Sequence, residues 1–153
     1  MWNLARFPDQ RQILVADPPV IRATAVEEFI RYATPILNMR RTVAVDHELR
    51  GQRLREGDQV LLMYGAANTD DRAFDEPERF DVTRQHSHHV AFGFGTHFCL
   101  GANLARLELG VLFEELLRVL PGIRLAPGHE PEFAPGYFTR TLRNLWVDFT
   151  PGR

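Results

Sequence analysis

The run Phe92-Gly93-Phe94-Gly95-Thr96-His97-Phe98-Cys99-Leu100-Gly101 contains the only cysteine of the 153-residue chain. Glycines at 93, 95 and 101 permit backbone shapes that a Cβ would block, so a tight loop is expected there. Leu100, Leu104, Leu107, Val111, Leu112, Leu116, Val119 and Leu120 then recur at helical spacing, which predicts an amphipathic helix stopped by Pro121-Gly122. A helix start offers unpaired N–H groups and a positive dipole end, and both favour a thiolate. A thiolate is a soft, charged ligand suited to iron or another transition metal. The bland alternative for a lone cysteine is a buried structural residue. The glycines and the helix start weigh against it.

Composition removes other classes. A net charge of −2 offers no surface for nucleic acid or an anionic membrane. The longest apolar stretch, from Val60 to Ala67, falls well short of the roughly 20 residues that span a bilayer. A single cysteine cannot form an internal disulfide, which fits a cytoplasmic location.

Along the chain, Pro8 opens a short helix ending at Asp17-Pro18-Pro19, and Val20 to Ala33 reads as a second helix closed by Thr34-Pro35. Arg40 to Val45 and Gln59 to Tyr64 read as strands, with turns at Asp46 to Gly51 and Glu56-Gly57-Asp58. Gly65 to Asn68 starts a short helix. Thr69 to Thr96 reads as irregular, and an irregular stretch of that length is usually functional. Thr141 to Thr150 reads as a strand, one arm of a terminal hairpin. The fold class is mainly α with small β-sheets.

The candidate chemistry clusters near Cys99. Phe92, Phe94 and Phe98 give an apolar wall, and Gly101 with Ala102 would let a flat cofactor approach the helix backbone. His97 is placed to ligate a metal or to bind an anionic cofactor group. His86, His88 and His89 together with Cys99 or His97 allow a zinc site instead, although closed zinc sites usually have better-spaced ligand pairs. Glu28 and Arg31 share one helix face. Arg40 and Arg41 alternate across a strand, so only one points inward, where it requires an anionic partner.

Together these residues resemble the haem-thiolate monooxygenases, the cytochromes P-450. Phe92-Gly93-x-Gly95-x-His97-x-Cys99-x-Gly101 is similar to that family's haem-binding motif, and Glu28-Phe29-Ile30-Arg31 to its Glu-x-x-Arg helix. Pro77-Glu78-Arg79-Phe80 is similar to the segment whose arginine completes a buried Glu-Arg-Arg cluster. The resemblance implies haem b with Cys99 as iron ligand, propionate contacts from Arg41 and His97, and further cofactor contacts at Phe92, Gly93, Gly101 and Ala105. It implies a buried cluster of Glu28, Arg31 and Arg79, in which losing one partner costs about 3–5 kcal/mol. It places Ile36, Leu37, Asn38, Met39 and Phe138 near a pocket for a lipophilic substrate. A ferredoxin-type or flavoprotein electron donor is implied, with Arg106 and Arg53 or Arg55 available for a basic docking patch.

The resemblance covers nearly the whole chain, yet family members are much longer. Residues 1–153 are therefore expected to be the C-terminal haem-binding part of an incomplete cytochrome P-450 fold. No Ala-Gly-x-x-Thr-like segment of the oxygen-activating central helix is found in the sequence. The expected reading is a monooxygenase represented by its C-terminal portion and inactive alone. The alternatives are a haem protein without oxygenase activity and a Cys/His zinc protein.

Overall fold

The computed structural model describes residues 1–85 and 88–150. Helix α1 (Trp2–Arg6) precedes α2 (Pro8–Ala16), whose proline occupies the first turn, where a missing N–H costs no hydrogen bond. The second predicted helix is present as a π-helical turn, Ile21–Ala25, running into α3 (Val26–Ala33). Thr34 ends α3 in the left-handed region at φ 37° and folds its hydroxyl back onto the Arg31 carbonyl, 2.7 Å away.

Among the described residues, eight short strands form four antiparallel pairs. Strand β1 (Asn38–Thr42) pairs with β4 (Gln59–Met63), with Met39 opposite Leu62 and Arg41 opposite Val60. Between them β2 (His47–Leu49) and β3 (Gln52–Leu54) make a hairpin. The turn expected over 46–51 is narrowed to Arg50 and Gly51, both with positive φ as a tight hairpin turn requires. Helix α4 (Tyr64–Asn68) follows. After a single 3-10 turn, Gly95–His97, the long helix α5 (Ala102–Val119) runs to Pro121.

The tail differs from expectation. Residues 141–150 are broken at Leu145-Trp146 into β7 (Leu142–Asn144) and β8 (Val147–Asp148), and these do not pair with each other. β7 pairs with β6 (Glu132–Phe133), and β8 with β5 (Arg124–Leu125). Main-chain bonds then fasten residues 138–140 to residues 35–37. Leu37 donates to the Phe138 carbonyl at 2.9 Å, Arg140 donates to the Pro35 carbonyl at 2.8 Å, and Ile36 bridges Thr139.

The core lies where α2, the π turn, α3 and α5 meet. Leu14, Ile21, Ala25, Val26, Phe29, Ile30, Phe113 and Leu117 pack there with Phe80, Val82 and Ala91 from the irregular stretch. Phe29 links both sides, with ring centroids 4.5 Å from Phe113 and 6.0 Å from Phe80. The expected stripe on α5 is corrected. Its buried side is Ala102, Gly110, Phe113 and Leu117, with Leu109 and Leu116 packed alongside, while Leu104, Leu107, Val111, Leu112 and Val119 are exposed. The helix is apolar on two faces, and the stronger leucine pattern marks the face turned away from this core.

Candidate functional site

The cysteine loop is shaped by its own backbone. Gly93 and Gly95 take φ of 76° and 68°. A Cβ on Gly93 would stand a tight 3.3 Å from the His97 carbonyl oxygen, and the positive φ itself favours glycine there. The Cys99 N–H donates to the Phe92 carbonyl at 2.8 Å, and the Cys99 carbonyl accepts from the Ala102 N–H at 3.2 Å. The free cysteine lies three residues before Ala102, the first residue of α5, and is exposed to solvent. The buried structural alternative does not hold.

A cavity of about 580 Å³ opens beside this loop, within the roughly 300–1,000 Å³ typical of cofactor and ligand sites. Separated segments build it. Ile30 comes from α3, Ile36, Met39 and Arg41 from β1 and its approach, Tyr64 from α4, Ala91 to Gly93, His97 and Cys99 from the loop, and Ala105 and Leu109 from α5. The lining is mostly aliphatic and aromatic, with a sulfur, a guanidinium, an imidazole and a phenol among it. Such a donor set fits a flat apolar macrocycle that carries a soft metal and carboxylates. Of the residues expected near a cofactor, Cys99, His97, Arg41, Phe92, Gly93 and Ala105 line this one cavity, whereas Gly101 does not and Ala102 is buried in the core. Ile36 and Met39 also line it. Leu37, Asn38 and Phe138 lie outside it but are tied together, because Asn38 Nδ2 donates to the Tyr137 carbonyl at 2.6 Å beside the Leu37–Phe138 bond. Tyr64 carried no motif in the sequence and was missed.

The buried ion cluster needs a correction. Glu28 and Arg31 are fully buried and joined twice, Nε to Oε2 at 2.7 Å and Nη2 to Oε1 at 2.8 Å. The third member is Arg84, whose Nε lies 3.2 Å from Glu28 Oε2 and whose side chain is 12% exposed. Arg79 turns outward to Glu76, at 2.8 Å and 56% exposed. Only its carbonyl joins the cluster, accepting from Arg31 at 3.2 Å and from Arg84 at 3.1 Å. The peptide around residues 76–79 thus folds its main chain inward and its arginine side chain out. Arg31 also donates to the Asn68 carbonyl at 2.7 Å, and Asn68 Oδ1 accepts the Val90 N–H at 2.8 Å. This chain of bonds anchors the segment entering the cysteine loop.

A second polar group flanks the loop. Glu27 is held by Arg106, at 2.6 and 3.0 Å, and by His89 Nε2 at 3.1 Å. Burial pushes its carboxyl up, but hydrogen bonds from His89 and Arg106 and the Arg106 charge outweigh this and bring its pKa down to about 2. His89 is thereby committed to Glu27, His88 is exposed, and His86 lies outside the described residues. Among the described residues, no group of three His, Cys, Asp or Glu side chains is placed to hold a metal. Arg106 and Arg53, offered for a basic patch, are paired with Glu27 and Asp46. Among the described residues, no helix is long and apolar enough to cross a membrane.

The family profile for cytochrome P-450 matches residues 16–120. This chain belongs to the cytochrome P-450 family. A steroid C26-monooxygenase of Mycolicibacterium smegmatis is 43% identical over 149 residues, which are 97% of this chain and 37% of that protein. A methyl-branched lipid omega-hydroxylase of Mycobacterium tuberculosis is 47% identical over 148 residues, 96% of this chain and 34% of that one. The crystal structure of the Bacillus megaterium cytochrome P-450 in complex with testosterone superposes with a TM-score of 0.91 at 32% identity, covering 95% of this chain and 40% of that one. The chain thus spans well under half the length of the P-450 relatives it matches, and its helices and small sheets are a partial P-450 fold.

Proposed function

We propose that residues 1–153 are the haem-binding portion of a P-450 monooxygenase, with Cys99 as the axial ligand of iron protoporphyrin. The observation that carries the reading is the cavity that unites Cys99 and His97 of the loop with Arg41 of β1 against an apolar wall. Bound haem supplies the redox and oxygen chemistry of the family, and a thiolate ligand favours O–O cleavage. The chain's residues do the rest. The Cys99 sulfur holds the metal. Arg41 and His97 bind the cofactor carboxylates as charge-assisted donors. Phe92, Ile30 and Leu109 exclude water from the cofactor face they line, and small Ala105 leaves the helix surface open to a flat ring.

The substrate is a lipophilic small molecule, with Ile36, Leu37, Asn38, Met39 and Phe138 on its side of the site. Those side chains are mainly apolar, and the similar proteins bear names that refer to steroids and branched lipids. Electrons come from a ferredoxin-type or flavoprotein donor, and the reduced free thiol fits the cytoplasm. The 153 residues alone bind haem without hydroxylating.

Reconstitution with haemin followed by reduction under CO tests the reading. A strongly red-shifted Soret band in the wild type and its loss in Cys99→Ala are expected. A red-shifted band that persists in Cys99→Ala would overturn the ligand assignment, and stoichiometric zinc without haem uptake would favour the zinc alternative.

A further inference from the structure

We infer that Glu27, His89 and Arg106 form a clamp that positions Phe92 and, through it, the Cys99 backbone, setting the electron affinity of an iron held at that sulfur. The iron part rests on the haem reading above. The clamp joins three elements. Glu27 lies in α3, His89 in the irregular segment, and Arg106 in α5. His89 is almost wholly buried, at 2% side-chain exposure. Its Nδ1 accepts the Ala91 N–H at 3.3 Å, which leaves Nε2 as the protonated nitrogen that donates to Glu27 at 3.1 Å. Arg106 meets the same carboxylate in a two-bond fork, and its guanidinium lies 4.8 Å from the centre of the Phe92 ring. The His89 ring is 5.9 Å from the Phe92 ring. Phe92 is therefore gripped on its ring by the clamp, while its carbonyl accepts the Cys99 N–H at 2.8 Å.

The charges matter as much as the contacts. With His89 neutral, Glu27 and Arg106 cancel. Neutralising Glu27 leaves the Arg106 cation uncompensated beside the loop, which favours an added electron on the iron. It also frees the guanidinium from its fixed place on the ring.

Two readouts test this, and the first needs no haem. In Glu27→Gln the Cys99 amide should exchange hydrogen about ten-fold faster than in the wild type, while the Asp17 amide, bonded to Ile13 in distant α2, stays unchanged. In haem-loaded protein the same variant should shift the one-electron equilibrium about three- to ten-fold toward the reduced state, ten-fold being about 59 mV. Arg106→Lys keeps the charge but loses the fork, so it should raise Cys99 exchange with a smaller shift in potential. Cys99 exchange that is unchanged in both variants, or that rises only together with Asp17 exchange, overturns the clamp. A wild type that takes up no haem overturns the iron assignment, and the amide readout then still decides whether Cys99 is positioned this way.

Discussion

Arg84 reaches the Glu28 carboxylate from five residues beyond Arg79, the arginine that stands in the Pro-Glu-Arg-Phe run. The two arginines share one peptide neighbourhood but have opposite environments. Arg84 is nearly enclosed and also donates to the carbonyls of Asp75, Glu76 and Arg79, whereas Arg79 makes an exposed pair with Glu76.

Substitution should therefore separate the two. Arg84→Ala leaves part of a buried charge network unpaired and should cost about 3 kcal/mol or more, at about 2–4 °C of Tm per kcal/mol for a chain of this size. Arg79→Ala should leave the thermal midpoint at the wild-type value. Paired calorimetric scans check both. Equal losses would return Arg79 to the cluster.

Arg41 offers a test of cofactor orientation. It lines the cavity from β1 and makes no ion pair among the described residues. Arg41→Ala should speed haem loss to apomyoglobin by about ten-fold, the value of one charge-assisted hydrogen bond. The Soret position should not move, because the sulfur ligand is untouched. An unchanged off-rate would exclude a carboxylate contact.

Glu27 should leave a mark on acid stability. Its folded pKa, near 2, lies below the ordinary 4.5. A depressed carboxyl stabilises the fold above its unfolded pKa, and that contribution is lost as the pH falls from about 4.5 toward 2. Chemical denaturation at a series of acid pH values should show the wild type losing stability over this window more steeply than Glu27→Gln. Parallel curves would mean that Glu27 has the same pKa folded and unfolded.

The outer face of α5 should govern association. Leu104, Leu107, Val111 and Leu112 are all exposed on one helix. Exposed apolar side chains clustered in this way, even with Glu108 and Glu115 among them, drive association in water. Sedimentation velocity should show concentration-dependent self-association that Leu107→Lys with Val111→Lys reduces. A monomer at all concentrations would show that the face is tolerated in solvent.

Much of this was legible in the residues. The glycine-punctuated cysteine loop, the helix after it, the strands around Arg41 and Val60, and the short helix before Asn68 are all set by local pattern. So is the Glu28–Arg31 pair, three residues apart on one turn. What was missed depends on contacts between distant segments. Nothing local tells whether Arg79 or Arg84 enters a buried cluster, since that is settled by which way one irregular peptide folds. Helical spacing marks an apolar face on α5 but does not say which of two faces meets Phe29. The Glu27–His89–Arg106 group unites residues far apart in sequence, and no local spacing links them.

The bonds between residues 35–38 and 137–140 are made almost wholly through the main chain, with Leu37, Arg140 and the Ile36–Thr139 bridge supplying backbone groups. Apart from the Asn38 amide, which donates to the Tyr137 carbonyl, the buckle is made of peptide groups and is indifferent to the side chains it carries. Leu37 and Phe138, which contribute only main-chain groups to these bonds, are thus free to change size and polarity while the strand that presents Met39 and Arg41 stays where it is. Under the function proposed above, selectivity can drift here by substitution alone, while Arg41 keeps its place.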